Sequence, residues 1–330
     1  MKALVTGGGG FLGGVIVRML RERGDQVRSF SRGRHSSLAE MGVEQIQGDL
    51  ADREALLKAA EGCDTVFHVA AKAGIWGSYT DFYRANVTGT ENVIAACRAH
   101  GIHSLVYTSS PSVVFDGRDV EGGDESLPYP SSYEAHYPET KAMAEQLVLA
   151  ASSPALATVA LRPHLIWGPG DNHLVPRIIA KGRAGKLRRI GNRSCLVDTV
   201  YVDNAAKAHL QAADRLALDS AISGKAYFIS NGQPLPLWEM VNRILAAADL
   251  PPVVRTISPK IAYTIGCICE SLWGVFRLSG DPPMTRFVAH ELATAHWFSI
   301  EAARRDFGYR PEITIDHGLE LLRNRLLTKS

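Results

Sequence analysis

Cysteine is scarce, and its placement rules out two chemistries. Cys63, Cys97, Cys195, Cys267 and Cys269 are odd in number, scattered and without metal-ligand spacing. Neither a disulfide framework nor a bound metal is expected, and a reduced, cytoplasmic protein is. Net charge is nearly absent as well. The formal balance is +2 at pH 7, and no basic stripe gathers the lysines and arginines, so there is no electrostatic footprint for nucleic acid. Low-complexity tracts and repeats are missing. The uncharged apolar runs stop short of the roughly 20 residues that cross a bilayer as a helix. The opening MKALVTGGGG reads as a strand and a turn, so no signal peptide is expected. What remains is 46% hydrophobic and 21% charged, the balance of a globular chain. Its 330 residues suffice for one large α/β domain or two unequal ones.

The first half alternates short apolar runs with helical patterns. KALVTG, QVRSFS, EQIQGD, TVFHVA, SLVYTSS and ATVALRP read as strands. GFLGGVIVRMLRERG, REALLKAAEG and TDFYRANVTGTENVIAACRAHG read as the helices between them. This rhythm predicts an α/β fold, a doubly wound parallel sheet of Rossmann type with strand order 3-2-1-4-5-6. After Pro163 the rhythm changes. A first domain over 1–165 and a smaller, mainly helical lobe over 166–330 are expected, with part of 196–230 returning to the first.

The turn after the first strand, TGGGGFLGG, carries glycines at 7, 10 and 13. Glycine lets the backbone turn sharply and lets a pyrophosphate approach the N–H groups of the next helix. Between a strand and a helix, that spacing predicts dinucleotide binding, with Gly7, Gly10, Phe11 and Leu12 at the phosphates. The end of the second strand selects the coenzyme. An NAD site places a carboxylate there for the ribose 2′-hydroxyl. Here Ser31, Arg32, Gly33 and Arg34 follow instead. Ser31 and a forked guanidinium on Arg32 suit a 2′-phosphate, so NADP is expected. At the end of the third strand, Asp49 precedes Leu50. It either reaches the adenine amino group or caps the helix beginning ADREA.

In YPETK, Tyr137 stands four residues before Lys141, on one face of a helix. Upstream, TSSPSV closes the fifth strand, where such sheets present ligand-facing residues. A phenol near pKa 10 is a poor proton carrier at neutral pH, and a neighbouring ammonium is expected to lower that value. A serine hydroxyl orients a carbonyl oxygen, hydride comes from the coenzyme and Tyr137 supplies the proton. Ser110 is chosen for the hydroxyl. Ser109, its neighbour in the same run, stays open.

Taken in order, TGGGGFLG, GDL, HVAA, NVTGT, YTSS, YPETK and LRPHLIWGPGD resemble the extended short-chain dehydrogenase/reductases. AAKAGIWGSY, GKAYFISNGQPLP, PPMTRF and ARRDFGYRP extend the resemblance to the 3β-hydroxysteroid dehydrogenase-like branch. It implies that His68 to Ala71, including Ala70 and Ala71, line the adenine-ribose side together with Lys72. It implies that Asn86 steadies the central sheet or a water near the lysine, and that Pro163 meets the carboxamide end of the nicotinamide. It also implies reversible NADPH reduction of a long-chain 2-alkyl-3-keto acid to the 3-hydroxy acid in bacterial olefin biosynthesis. A homodimer through 81–100 and 137–151 is implied, as is assembly with the other enzymes of that pathway. The alternatives are a 3β-hydroxysteroid or sterol-4-carboxylate dehydrogenase and a non-catalytic redox sensor that binds NADP.

Two stretches point to a long apolar substrate. AAKAGIWGSY puts Lys72, Trp76 and Tyr79 on a crevice loop, with Trp76 as core the competing reading. In SPKIAYTIGCICESLWGVFRLSG, positions 261, 265, 268, 272 and 276 follow helical spacing. The simplest expectation is a stripe packed on the core. A wall of a lipid pocket, a partner contact, or a membrane-surface contact through 259–280 are the others. A β-keto acid also needs a cation for its carboxylate, and Arg177 and Lys72 are the candidates.

Overall fold

The computed structural model describes residues 1–218 and 220–328. Its centre is a parallel sheet of seven strands, numbered here β1 (Lys2–Thr6), β2 (Gln26–Ser31), β3 (Glu44–Gln47), β4 (Thr65–His68), β5 (Ser104–Thr108), β6 (Ala157–Pro163) and β7 (Lys225–Ile229). The order is β3-β2-β1-β4-β5-β6-β7, so the predicted doubly wound order is present with a seventh strand beyond the sixth. Helices cover both faces, and the strands accordingly bury both sides. Val5, Phe67, Val106 and Val159 pair in one register row across β1, β4, β5 and β6. Leu4, Val66 and Leu105 form the neighbouring row on the opposite face. All seven side chains are at most 1% exposed, each worth about 1.5–3 kcal/mol of burial. This double burial is why these segments read as unbroken apolar runs.

A segment beyond the sixth strand adds the seventh to the sheet edge. β7 pairs with β6 along its whole length. The helix Val202–Arg215 packs on the first helix, Phe11–Glu22, where Arg18 pairs with Asp203 and Arg23 with Asp214. A second, smaller sheet holds Leu235–Pro236, Leu196–Val197, His296–Phe298 and Val120–Gly123. The last of these comes from the first half of the chain.

Two helices differ from expectation. The segment beginning at Tyr79 is not uniform. A turn of α-helix (Tyr79–Tyr83) widens to a π-helical turn (Arg84–Thr88) and then resumes as Gly89–Ala99. Such a widening commonly sits where a helix presents a side chain to a functional region, and here it carries Asn86. The helix Pro259–Phe276 starts at Ser258, whose hydroxyl accepts from the Ile261 N–H at 3.2 Å. Its apolar stripe does not pack on the core. Ile261, Ile265, Ile268, Leu272, Val275 and Phe276 are exposed. The opposite, small-residue edge is the buried one. A Cβ on Gly266 would fall 2.7 Å from the Arg286 nitrogen, so glycine permits a close backbone approach that turns the branched side chains outward. Among the described residues, no helix is long and apolar enough to cross a membrane.

Candidate active site

The glycine turn is a cradle in which side chains would collide. Gly7 has φ +72°, and a Cβ on Gly13 would lie 2.2 Å from the Gly7 carbonyl oxygen. The Gly10 N–H closes the turn on that same oxygen at 2.8 Å. Gly10 then begins the helix Phe11–Glu22 with no side-chain cap, leaving first-turn N–H groups for an anion. Phe11 is half-buried and Leu12 is buried in the core at this turn.

At the end of β2 the Ser31 hydroxyl donates to the Gly33 carbonyl at 2.8 Å. Arg32 and Arg34 are exposed, and neither guanidinium has an ion-pair or hydrogen-bond partner among the described residues. The His35 ring fills the space where a Gly9 side chain would go, 2.1 Å from that Cβ position. The cradle fits the pyrophosphate of a nicotinamide dinucleotide. At the end of β3, Asp52 rather than Asp49 caps the next helix, accepting from the Ala55 N–H at 3.1 Å. Asp49 accepts from the Ala51 N–H at 2.9 Å and meets Arg84 at 3.3 Å. Leu50 sits against Gly89, whose added Cβ would come within 2.7 Å of it.

The end of β4 is held from beneath. Thr6 accepts from the N–H groups of Val69 and Ala70 at 3.1 and 3.2 Å. His68 is sealed between the Thr6 and Thr90 hydroxyls, and burial, helped by Lys141, lowers its pKa to about 3. Its ring is therefore neutral packing. The ligand-facing part of HVAA reduces to the half-buried Val69 and Ala70 and the exposed Ala71. Asn86 clamps Lys72 by both backbone groups, at 2.7 and 3.1 Å, and donates to Thr140 at 3.0 Å. It ties the loop after β4 to the helix His136–Ala150.

That helix brings the predicted residues together. Lys141 is 2% exposed. Its ammonium donates to the Thr108 carbonyl at the end of β5, at 2.6 Å, and lies 4.1 Å from the centre of the Tyr107 ring. Burial pulls its pKa down to about 7, with Glu145 one turn on opposing the fall. Tyr137, one turn earlier on the same helix, is half-buried. The phenol's pKa is raised, not lowered. Burial pushes it up, a hydrogen bond with Ser110 pulls it down, and the Glu291 carboxylate pushes it up again. The expected effect of the lysine is missing because its charge is weakened by burial and directed at the Thr108 carbonyl. Ser110, not Ser109, meets the phenol. Ser109 is buried with its hydroxyl unpaired, whereas the Ser110 hydroxyl is 2.8 Å from that of Ser112.

A cleft of about 440 Å³, which reaches His136 next to Tyr137 in the chain, is lined by Ile75, Trp76, Phe82 and Phe287 and by the charged Glu134, Glu270 and Arg286. Trp76 is thus a wall residue. Lys72 and Arg177 are not delivered as free cations: Lys72 pairs with Asp81 at 3.2 Å, and Arg177 pairs with Asp281 at 3.1 Å on the surface. Pro163 ends β6 and precedes His164, which bonds Asp198 and lies 3.2 Å from His296. Ser112, Glu291 and this histidine pair went unnoticed in the sequence. Only Ser112 carried a local signal, as part of TSSPSV.

The family model for the 3-beta hydroxysteroid dehydrogenase/isomerase family matches residues 4–257. The 2-alkyl-3-oxoalkanoate reductase of Stenotrophomonas maltophilia is 58% identical over 98% of both chains. The mouse (Mus musculus) sterol-4-alpha-carboxylate 3-dehydrogenase, decarboxylating, is 38% identical over 97% of this chain and 89% of its own. Among solved structures, the UDP-glucose 4-epimerase of Thermus thermophilus, in complex with NAD, shares the fold. It superposes with a TM-score of 0.75 at 24% identity, with both chains covered in full. With its ordered motifs, seven-stranded sheet and full-length relatives, the chain belongs to the 3-beta hydroxysteroid dehydrogenase/isomerase family.

Proposed function

We propose that this chain reduces a long-chain 2-alkyl-3-oxoalkanoate to the 2-alkyl-3-hydroxyalkanoate, reversibly, with NADPH. The observation that carries the reading is the pairing of Tyr137 with Ser110 at the end of β5, with Lys141 one helical turn on and bound to the Thr108 carbonyl. The reductase relative supplies the substrate class. Bound NADPH supplies hydride to the keto carbon. Ser110 orients the keto oxygen, and Tyr137 gives its proton to the alkoxide that forms there. Lys141, held between Thr108 and Tyr107, has its pKa brought by burial to about 7, so that it exchanges protons readily at neutral pH. Trp76, Phe82 and Phe287 exclude water and receive the alkyl chains.

Residues 1–165, with part of 196–230, form the coenzyme domain in this reading, and the rest of 166–330 forms the substrate lobe. A homodimer through the helices near 81–100 and 137–151 belongs to it. So do contact of 259–280 with a lipid surface and assembly with the other enzymes of olefin biosynthesis. The outward apolar stripe supports these last two. The second reading, a sterol-4-carboxylate 3-dehydrogenase, is favoured by the mouse relative. Both substrates carry oxygen on the carbon β to a carboxylate.

The deciding experiment offers racemic 2-alkyl-3-hydroxy acids and 3β-hydroxysteroids with NADP and with NAD, and follows the absorbance of reduced nicotinamide. Faster turnover of the steroids would overturn the first reading. The coenzyme choice has its own test. Arg32→Ala is expected to weaken NADPH roughly ten- to a hundredfold, the loss of one or two charged hydrogen bonds, while NADH binding changes little. Equal losses in a binding titration would remove the 2′-phosphate argument.

A further inference from the structure

Three buried titratable groups that the reaction does not use form a chain of hydrogen bonds. Asp198 is 0% exposed, His296 5% and His164 8%. One Asp198 oxygen accepts from the Phe298 N–H at 3.1 Å, and the other meets His164 Nδ1. His164 Nε2 lies 3.2 Å from His296 Nδ1, and His296 Nε2 lies 2.9 Å from the Glu291 carbonyl oxygen. A hydrogen bond holds one proton between its two heavy atoms, so the three contacts of the two rings need three protons. A carbonyl oxygen only accepts, which puts one of them on His296 Nε2. The others sit between the rings and between His164 and Asp198. An aspartate and two histidines free in water at about pH 7.5 hold roughly two, so the buried cluster holds one more. A carboxylic acid gives up its proton more readily than an imidazolium, and the Phe298 N–H further favours the carboxylate. His164 is then the imidazolium, donating from both nitrogens, while His296 stays neutral. Burial lowers the His296 pKa to about 4, in keeping with a neutral ring.

The far end of the chain reaches the wall of the cleft. Glu291 ends the helix Arg286–Glu291, whose first residues, Arg286 and Phe287, line the cleft. Phe115 adds an apolar bridge, its ring edge-on to both His296 at 6.2 Å and Phe287 at 5.9 Å. We infer that Asp198, His164 and His296 are positioning residues that pin this helix, and that the pin requires the third proton. Without it, two lone pairs would face each other at one of the bonds, in a site closed to water. The surrounding charges are committed elsewhere. Asp119 is held by Arg193, Arg304 by Glu301, Arg162 by Glu145 and Arg286 by Glu270, each at 2.6 Å, and His290 by Glu134 at 2.8 Å. The Tyr309 hydroxyl donates to the Ser230 carbonyl at 2.9 Å. Glu291 is the neighbour that titrates in the same range, burial having raised its pKa to about 7.

The folded cluster binds its extra proton more tightly than a free histidine does. Its contribution is therefore present below about pH 6.5 and is lost as pH rises through the cluster's own raised value. Asp198→Asn supplies the comparison. Its amide N–H donates to His164 Nδ1, its amide oxygen still accepts from Phe298, and every bond is kept without the third proton. Urea unfolding gives the folding constant of both forms from about pH 6 to about pH 7.5. The native-to-variant ratio is expected to fall about tenfold per pH unit, the signature of one proton. Glu291 titrates in both forms and cancels. A flat ratio would overturn the inference. Nitrogen NMR of histidine-labelled protein reads the same proton without unfolding. At about pH 7.5, where free histidine is roughly nine-tenths neutral, one ring should carry two protons in the native protein and one in Asp198→Asn. Identical ring spectra would also overturn the inference. The positioning role is read with His296→Leu, which removes the pin. KM should rise roughly three- to tenfold, the loss of one hydrogen bond, with kcat little changed and coenzyme binding retained. It is measured on whichever acid or steroid the enzyme turns over, so the outcome does not depend on the substrate proposed above. An unchanged KM would overturn the link between the cluster and the cleft.

Discussion

Tyr137→Phe is expected to lower turnover by roughly a hundred- to ten-thousandfold, the usual contribution of a positioned acid–base group. The ring stays and only the hydroxyl goes, so the helix His136–Ala150 should fold and coenzyme affinity should change little. The loss belongs in kcat, because the proton is delivered only as negative charge develops on the substrate oxygen. Burial already holds the phenol in its protonated form, with Glu291 adding to that push, which suits a donor in the direction of reduction. Steady-state kinetics and a fluorescence titration of NADPH separate the two effects. A Phe variant with near-native kcat would remove the tyrosine from the chemistry.

The second large effect is on stability, at Glu145. This carboxylate is fully buried and Arg162 is 3% exposed. The pair is forked, with Arg162 Nε and Nη2 on the glutamate oxygens at 2.9 and 2.6 Å, and the Tyr129 hydroxyl adds a bond of 2.6 Å. Glu145→Ala would strand a guanidinium that already has one unpaired nitrogen. A cost of about 3–5 kcal/mol is expected from leaving such a charge uncompensated, read as a lower midpoint in urea unfolding. Glu145 also supports the charge of Lys141 one helical turn earlier. A milder Glu145→Gln variant should therefore shift the pH dependence of turnover as well as the unfolding midpoint. An unchanged midpoint for the Ala variant would mean that the arginine finds another partner or water.

The sheet was legible because its physics is local. Strands buried on both faces must be apolar throughout, and Val5, Phe67, Val106 and Val159 announce that without their neighbours. The glycine turn and the tyrosine–lysine spacing were legible for a related reason, since a backbone conformation and a helical period fix them. What stayed hidden depends on contacts between distant segments. Nothing near Lys141 in the chain shows that its ammonium will be spent on the Thr108 carbonyl, and so the sign of the Tyr137 shift was misread. Nothing near Glu291 in the chain shows that its charge will act on Tyr137. The stripe from Ile261 to Phe276 had the right period, but period does not say which side turns inward. Gly266, packed on Arg286, decided that.

The short strand Val120–Gly123 has a practical consequence for anyone exchanging specificity between members of this family. It lies ten residues past Ser110 in the chain, yet it pairs with His296–Phe298, and Arg193 reaches back to Asp119 beside it. A chimera spliced only near residue 165 would graft a foreign lobe onto a native edge strand and break that pairing. Transplanting the segment from about 117 to 127 with the later half should give hybrids that fold, because each seam would then run through exposed loop and not through a shared ladder.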